Sequence, residues 1–311
     1  MVRRMSPATP GDGAAAAETV LRLAVMLQAG VAPAPAWHHL AASQDPAAER
    51  VTAAVADGMP LPRAIAASGG AWRDVAVAWH VATTVGAPLA ESLRGLAAAL
   101  RDAAEAADDV RVALAEPAGT ARLMGWLPLV AVGLGVALGF DTLGVLVGHP
   151  AGIACLVAGG ALILAAQRWT ARLVRRARAD SGVPGLHAEL VAIALSGGAS
   201  IDRATAVVRD AHAAAGTRNA ADADADVDAD ADADVDAVLA LSRSAGVPAV
   251  ELLRASAAHA RHRARVDGRL RAARLSSRLL IPLGVCTLPA FLLLGVAPML
   301  LSVVSTMSLS L

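Results

Sequence analysis

Apolar residues recur at three- and four-residue spacing along ETVLRLAVMLQAG (residues 18–30) and again along ELVAIALSGGASIDRATAVV (189–208). That spacing is the stripe of an α-helix with one face turned to a core. Neither region shows the period-two, β-branched alternation of a sheet. Three further stretches are apolar all round: Leu123–Phe140, Gly152–Ala166 and Leu279–Val304. At about 1.5 Å per residue against a hydrocarbon core of about 30 Å, the first and third reach across a bilayer, and the second does so if it starts near Val147. Between the first two, DTLGVLVGHP (141–150) has the glycines and proline of a hairpin turn. The pattern predicts an all-α membrane protein with two tandem helical-bundle domains and about three transmembrane helices. The predicted divisions are a disordered N-terminus over 1–17, helical domain 1 over 18–122, a transmembrane hairpin over 123–167, helical domain 2 over 168–278, and a last transmembrane helix over 279–304.

Composition supports a membrane reading and charge orients it. The chain has 311 residues, 56% of them hydrophobic, and a mean hydropathy of +0.54. All 27 basic residues are Arg. Ten precede the first apolar stretch, five lie over Arg168–Arg178, twelve lie over Arg203–Arg278, and none is in the 141–150 turn or after Leu301. The positive-inside rule then places both helical domains in the cytoplasm of a multi-pass plasma-membrane protein, with the C-terminus outside. Trp126 and Trp169, beside Arg122 and Arg168, bracket the hairpin as interfacial anchors. The formal charge of zero hides an uneven distribution, because eight of the 27 carboxylates alternate with small residues from Asp222 to Asp236. Repulsion and low hydrophobicity predict a disordered Asp/Ala loop over 218–237. Cys155 and Cys286 fall inside apolar stretches and suggest buried small side chains, not a disulfide framework.

One device occurs twice. VGAPLAESLRGLAA starts at Val85 and AGVPAVELLRASAA at Ala245, and eight of the 16 positions from Gly86 to Arg101 are identical to those 160 residues later. Gly86 and Gly246 suit the left-handed close of one helix, and Pro88 and Pro248 suit the start of the next. Glu91 and Glu251 then meet the positive end of a helix dipole. A companion pair, LQAGVA at Leu27 and LSGGAS at Leu195, and a related GMPLPRAI at Gly58 extend the likeness.

Together with LRLAVMLQAGVAPAPAW, the hairpin closing on WTARLVRR, and the ending SSRLLIPLGVCTLPAFLLLGVAPML, these motifs resemble the F-type inner-membrane proteins of type II secretion systems. In particular they resemble the TadB and TadC proteins of Flp (tight-adherence) pilus assembly. Residues 18–178 look like a TadB-type half and 185–304 like a TadC-type half; further N-terminal spans common in that family are absent from this sequence, and the Asp tract interrupts the second half. The resemblance implies a platform subunit that couples a cytoplasmic secretion ATPase to assembly of pilin-like subunits, beside other F-type subunits or copies of itself.

Chemistry narrows the classes further. A chain without Lys has no Walker A lysine. No nucleophile–base order stands out, so no enzymatic activity and no cofactor are expected. His259 and His262 sit among arginines, which disfavours a metal, and His38 and His39 read as a helix face. The arginines over Arg254–Arg278, among them Arg254, Arg261, Arg265 and Arg271, admit contact with membrane lipids, docking to an acidic protein surface, or nucleic-acid binding. The last has no aromatic platform to support it, so no nucleic acid is expected. Glu105, Asp108 and Asp109 give the first long helix an acidic segment suited to face the basic second domain. The alternative function, a small oligomeric transporter or channel, lacks the intramembrane ionisable groups such a path normally uses.

Overall fold

The computed structural model describes residues 12–137, 144, 147, 150–177, 182–215, 225–298 and 300. Every regular element among them is helical: α1 (Asp12–Gln28), α2 (Pro33–Ala42), α3 (Pro46–Ala56), α4 (Leu61–Ala67), α5 (Trp72–Val85), α6 (Leu89–Ala137), α7 (Pro150–Ala177), α8 (Leu186–Ser196), α9 (Ile201–Ala214), α10 (Ala225–Ala245), α11 (Ala249–Pro282) and α12 (Leu288–Phe291), with π-helical turns at Leu283–Thr287 and Leu292–Val296. The chain divides into two compact units. One is formed by residues 1–107 with 182–266, the other by 108–181 with 267–311.

The first unit unites the polar segments expected to form two separate domains. Its single core draws Val20, Leu23, Trp37, Val51, Ile65, Leu93 and Leu96 from one half and Leu190, Ile193, Val208, Leu239 and Leu253 from the other. The physical reason is that two helices are apolar on nearly every face. In α5, Trp72, Val75–Trp79, Val81 and Ala82 are buried, and in α8 every residue from Ala188 to Ala194 is buried. A helix without a polar face must be covered all round. Here α5 packs on both α8 and α9. Gly197, at the end of α8, makes that approach possible, since a Cβ there would lie 2.6 Å from Val85 Cγ2 and 2.8 Å from its carbonyl oxygen.

Local chemistry sets the smaller helices. Asp45 caps α3, its carboxylate accepting from the Ala47 and Ala48 amides at 3.0 Å, with Pro46 at the first helical position. Thr19 Oγ1 of α1 donates to the same carboxylate at 2.6 Å, which ties α1 to α3. Trp37 of α2 lies 6.0 Å from Trp72 and 6.2 Å from Trp79, at tilted angles that favour ring-edge to ring-face contact.

Two disorder expectations are corrected. Of the N-terminus expected to be disordered, residues 12–17 are helical, because Ala16 and Ala17 are apolar enough to join the core, while residues 1–11 lie outside the described residues. The Asp/Ala tract is helical from Ala225, while 216–224 lie outside the described residues. Val235 and Leu239, one turn apart, are buried and draw α10 onto the bundle. Two of its carboxylates also find partners: Asp232 lies 2.9 Å from His187 Nε2 and Asp234 lies 3.7 Å from Arg263.

In the second unit, α7 carries the one described helix segment long and apolar enough to cross a membrane, Pro150–Leu173, with mean hydropathy 1.8. The other two predicted spans cannot be compared in full: most side chains of Leu123–Phe140, most of the 141–149 turn, and parts of Leu279–Val304 lie outside the described residues. A closely packed seam joins α7 to the C-terminal helical run. Gly159 is a notch that admits Leu294, whose Cγ would lie 2.6 Å from a Cβ on that glycine. Cys286 and Ala290 are buried. The π-helical turns precede Pro289 and Pro298. Proline lacks the N–H that an α-helical turn would use, and a widened turn accommodates the loss without ending the helix.

Candidate functional site

The two copies of the repeated device form the starts of α6 and α11, and their geometry agrees. Gly86 and Gly246 have φ of +72° and +68°. No neighbouring atom lies within 4 Å of where a Cβ would be placed at either, so backbone conformation alone accounts for glycine there. The Pro88 carbonyl accepts from Ser92 N at 3.0 Å, and that of Pro248 from Leu252 N at 3.4 Å, so each proline stands just outside its helix. Glu91 and Glu251 occupy the first turns of α6 and α11 and are exposed. Two turns of matching core positions follow: Leu93 and Leu253 are fully buried, as is Ala257, and Ala97 is nearly so. Gly30 and Gly198 also share a positive φ, +89° and +84°.

These helices run side by side in the same direction. Glu91 Oε1 meets Arg254 at 2.9 Å, Asp102 Oδ2 meets Arg261 Nε at 3.1 Å, and Glu105 Oε2 meets Arg265 at 3.0 Å, with sequence separations of 163, 159 and 160 residues. Near-constant separation means a parallel pair in which the carboxylates of α6 stand at nearly the same heights as the arginines of α11. Within the second unit, Arg269 makes the corresponding contact with Asp109 at 2.8 Å, again 160 residues apart. The acidic segment of α6 thus faces the basic segment of α11 in the intramolecular arrangement that charge complementarity suggested.

One rung is buried. The Arg261 side chain is 13% exposed and reaches Glu189 Oε2 of α8 at 3.8 Å as well as Asp102; the Glu189 side chain is 7% exposed. Glu189 fits because residue 95 is glycine, where a Cβ would stand 2.8 Å from Glu189 Oε1. Three helices, α6, α8 and α11, are therefore joined through one guanidinium. Sequence periodicity did not single out Glu189 or Gly95, since a carboxylate in an apolar helix is placed only by what packs against it.

Of the four arginines offered for lipid or partner contact, Arg254, Arg261 and Arg265 are engaged with α6. That corrects the expectation for these three, because the α6 carboxylates sit at matching heights. Arg271 is exposed, its Nε donating to the Asp267 carbonyl at 3.4 Å. Elsewhere in the first unit, a cleft of about 360 Å³ is lined by Pro60, Pro62, Arg63, His80 and alanines of α5 and α9. Asp74, in the first turn of α5, has its carboxyl pushed up to about 6 by burial, with Arg73 opposing the shift. Among the described residues no three His, Cys, Asp or Glu side chains converge to hold a metal.

Residues 20–137, which run from α1 through α6, match the family model for type II secretion system (T2SS), protein F. Over these residues the chain is similar to that family. Neither the curated proteins nor the solved structures contain a significant match. The matched residues contain α5 and the acidic member of the parallel pair, while α8–α11 lie beyond them.

Proposed function

We propose that this chain is a non-enzymatic, integral plasma-membrane platform subunit of a type II secretion or Flp (Tad) pilus assembly system, coupling a cytoplasmic secretion ATPase to the assembly of pilin-like subunits. The observation that carries the reading is the protein F match over α1–α6. The apolar α7 segment and the confinement of Arg to one predicted side support membrane insertion with the first unit in the cytoplasm. The second half serves as a further F-type segment, a reading supported by the matching caps and by the parallel ladder of α6 carboxylates and α11 arginines.

The physical role follows from α6. It is helical over 49 residues, and packed helices respond to force by moving as units. A push on the bundle from an ATPase would displace α6 and α11 together, because the buried Arg261 rung resists slip between them. The test is a deletion strain complemented with the wild-type chain or with Arg261→Ala. Loss of surface pili on deletion, restoration by the wild type, and co-purification of the detergent-solubilised chain with the cognate ATPase are expected. Normal piliation in the deletion strain would refute the reading, and ion flux through chain-bearing liposomes would favour a channel instead.

A further inference from the structure

The second unit contains a level at which three helices meet. Val110 of α6 and Leu173 of α7 pack against Ala272 and Leu275 of α11. Leu173 is also the last residue of the apolar segment that can cross a membrane. Since α7 runs antiparallel to the C-terminal helices, with Leu173 beside Leu275 and Gly159 beside Leu294, the end of that apolar segment falls at this junction.

The side chains around the junction are guanidinium groups and one indole. Arg111 of α6, Arg168 and Arg172 of α7, and Arg269, Arg271 and Arg274 of α11 lie within five residues of the junction positions on their own helices, and all are exposed. Trp169 is 43% exposed and stands one turn from Leu173 on the apolar side. Asp108 pairs with Arg111 and Asp109 with Arg269. Arg168, Arg172 and Arg274 make no ion pair with a described residue. The junction arginines thus divide: Arg111 and Arg269 stand beside α6 carboxylates, and Arg168, Arg172 and Arg274 do not.

We infer that this arginine belt is a binding surface for anionic phospholipid headgroups, which holds the three helices at a fixed depth. The inference rests on the membrane reading above and adds the headgroup chemistry. A guanidinium offers paired donors to a phosphodiester, and Trp169 supplies the amphipathic ring that settles at the same depth. An acidic protein surface would fit the charge but not the indole, nor the position at the end of an apolar segment.

The test uses the full chain, purified in detergent and reconstituted into vesicles of phosphatidylcholine with and without phosphatidylglycerol, with tightly held lipid counted by native mass spectrometry. The wild type should retain phosphatidylglycerol over phosphatidylcholine. Arg168→Gln/Arg172→Gln/Arg274→Gln should reduce that preference by at least about tenfold, given roughly a fivefold factor per arginine near an anionic surface. Arg63→Gln/Arg203→Gln/Arg243→Gln, which removes equal charge from the other unit, should leave it unchanged. Insertion without headgroup preference, or equal loss in both triple variants, overturns the belt alone. Failure to insert into either vesicle overturns the membrane reading and the belt with it.

Discussion

Replacing Arg261 with alanine tests whether the parallel helices are joined by a buried charge or merely decorated by surface pairs. The substitution leaves Glu189, a carboxylate 7% exposed, without the cation at 3.8 Å, while Asp102, 46% exposed, can turn to water. Breaking a buried pair by removing one partner costs about 3–5 kcal/mol, because an uncompensated charge remains inside. Arg269→Ala is the control. Arg269 and its partner Asp109 are 62% and 36% exposed, and an exposed pair contributes about 1 kcal/mol or less. In a unit of this size each kcal/mol moves the midpoint by roughly 2–4 °C, so Arg261→Ala should melt on the order of 6–20 °C lower and Arg269→Ala within a few degrees of wild type. Circular-dichroism melts in one detergent at neutral pH measure both. The double variant Glu189→Gln/Arg261→Met should recover most of the loss, since neither charge is then buried. Equal shifts for the two single variants, or a double variant no better than Arg261→Ala, would refute the reasoning.

Three further outcomes follow from the geometry. Asp74→Asn should stabilise the fold at neutral pH by up to about 3 kcal/mol, because the folded carboxyl titrates near 6 against 3.8 unperturbed. Wild-type stability should fall as pH rises from about 3.8 to about 6 and then level off, and the variant should lack that slope in urea titrations across this range. Gly86→Ala and Gly246→Ala should each cost roughly 1–2 kcal/mol from left-handed backbone strain alone, read as lowered melting midpoints of similar size. Gly159→Val should drive a branched side chain into Leu294 and loosen α7 from the C-terminal run, read as a lowered melting midpoint relative to wild type.

The sequence by itself determined the helical class, the caps and the repeat, since these depend on neighbours a few residues apart. Glycine followed two positions on by proline ends one helix and starts another wherever it stands, and both copies have the expected φ. The opposite charges of the α6 and α11 segments were equally legible, because net charge needs no coordinates. Only tertiary structure decided that the two halves share a core. Periodicity shows that α5 and α8 have apolar faces, but which helix covers them depends on close approaches such as Gly197 against Val85. The same limit explains the Asp tract, where alternation suggested disorder until Val235 and Leu239 found a core and His187 and Arg263 supplied polar partners. It also explains the arginines: whether a guanidinium meets lipid or carboxylate depends on what stands opposite, 160 residues away along the chain.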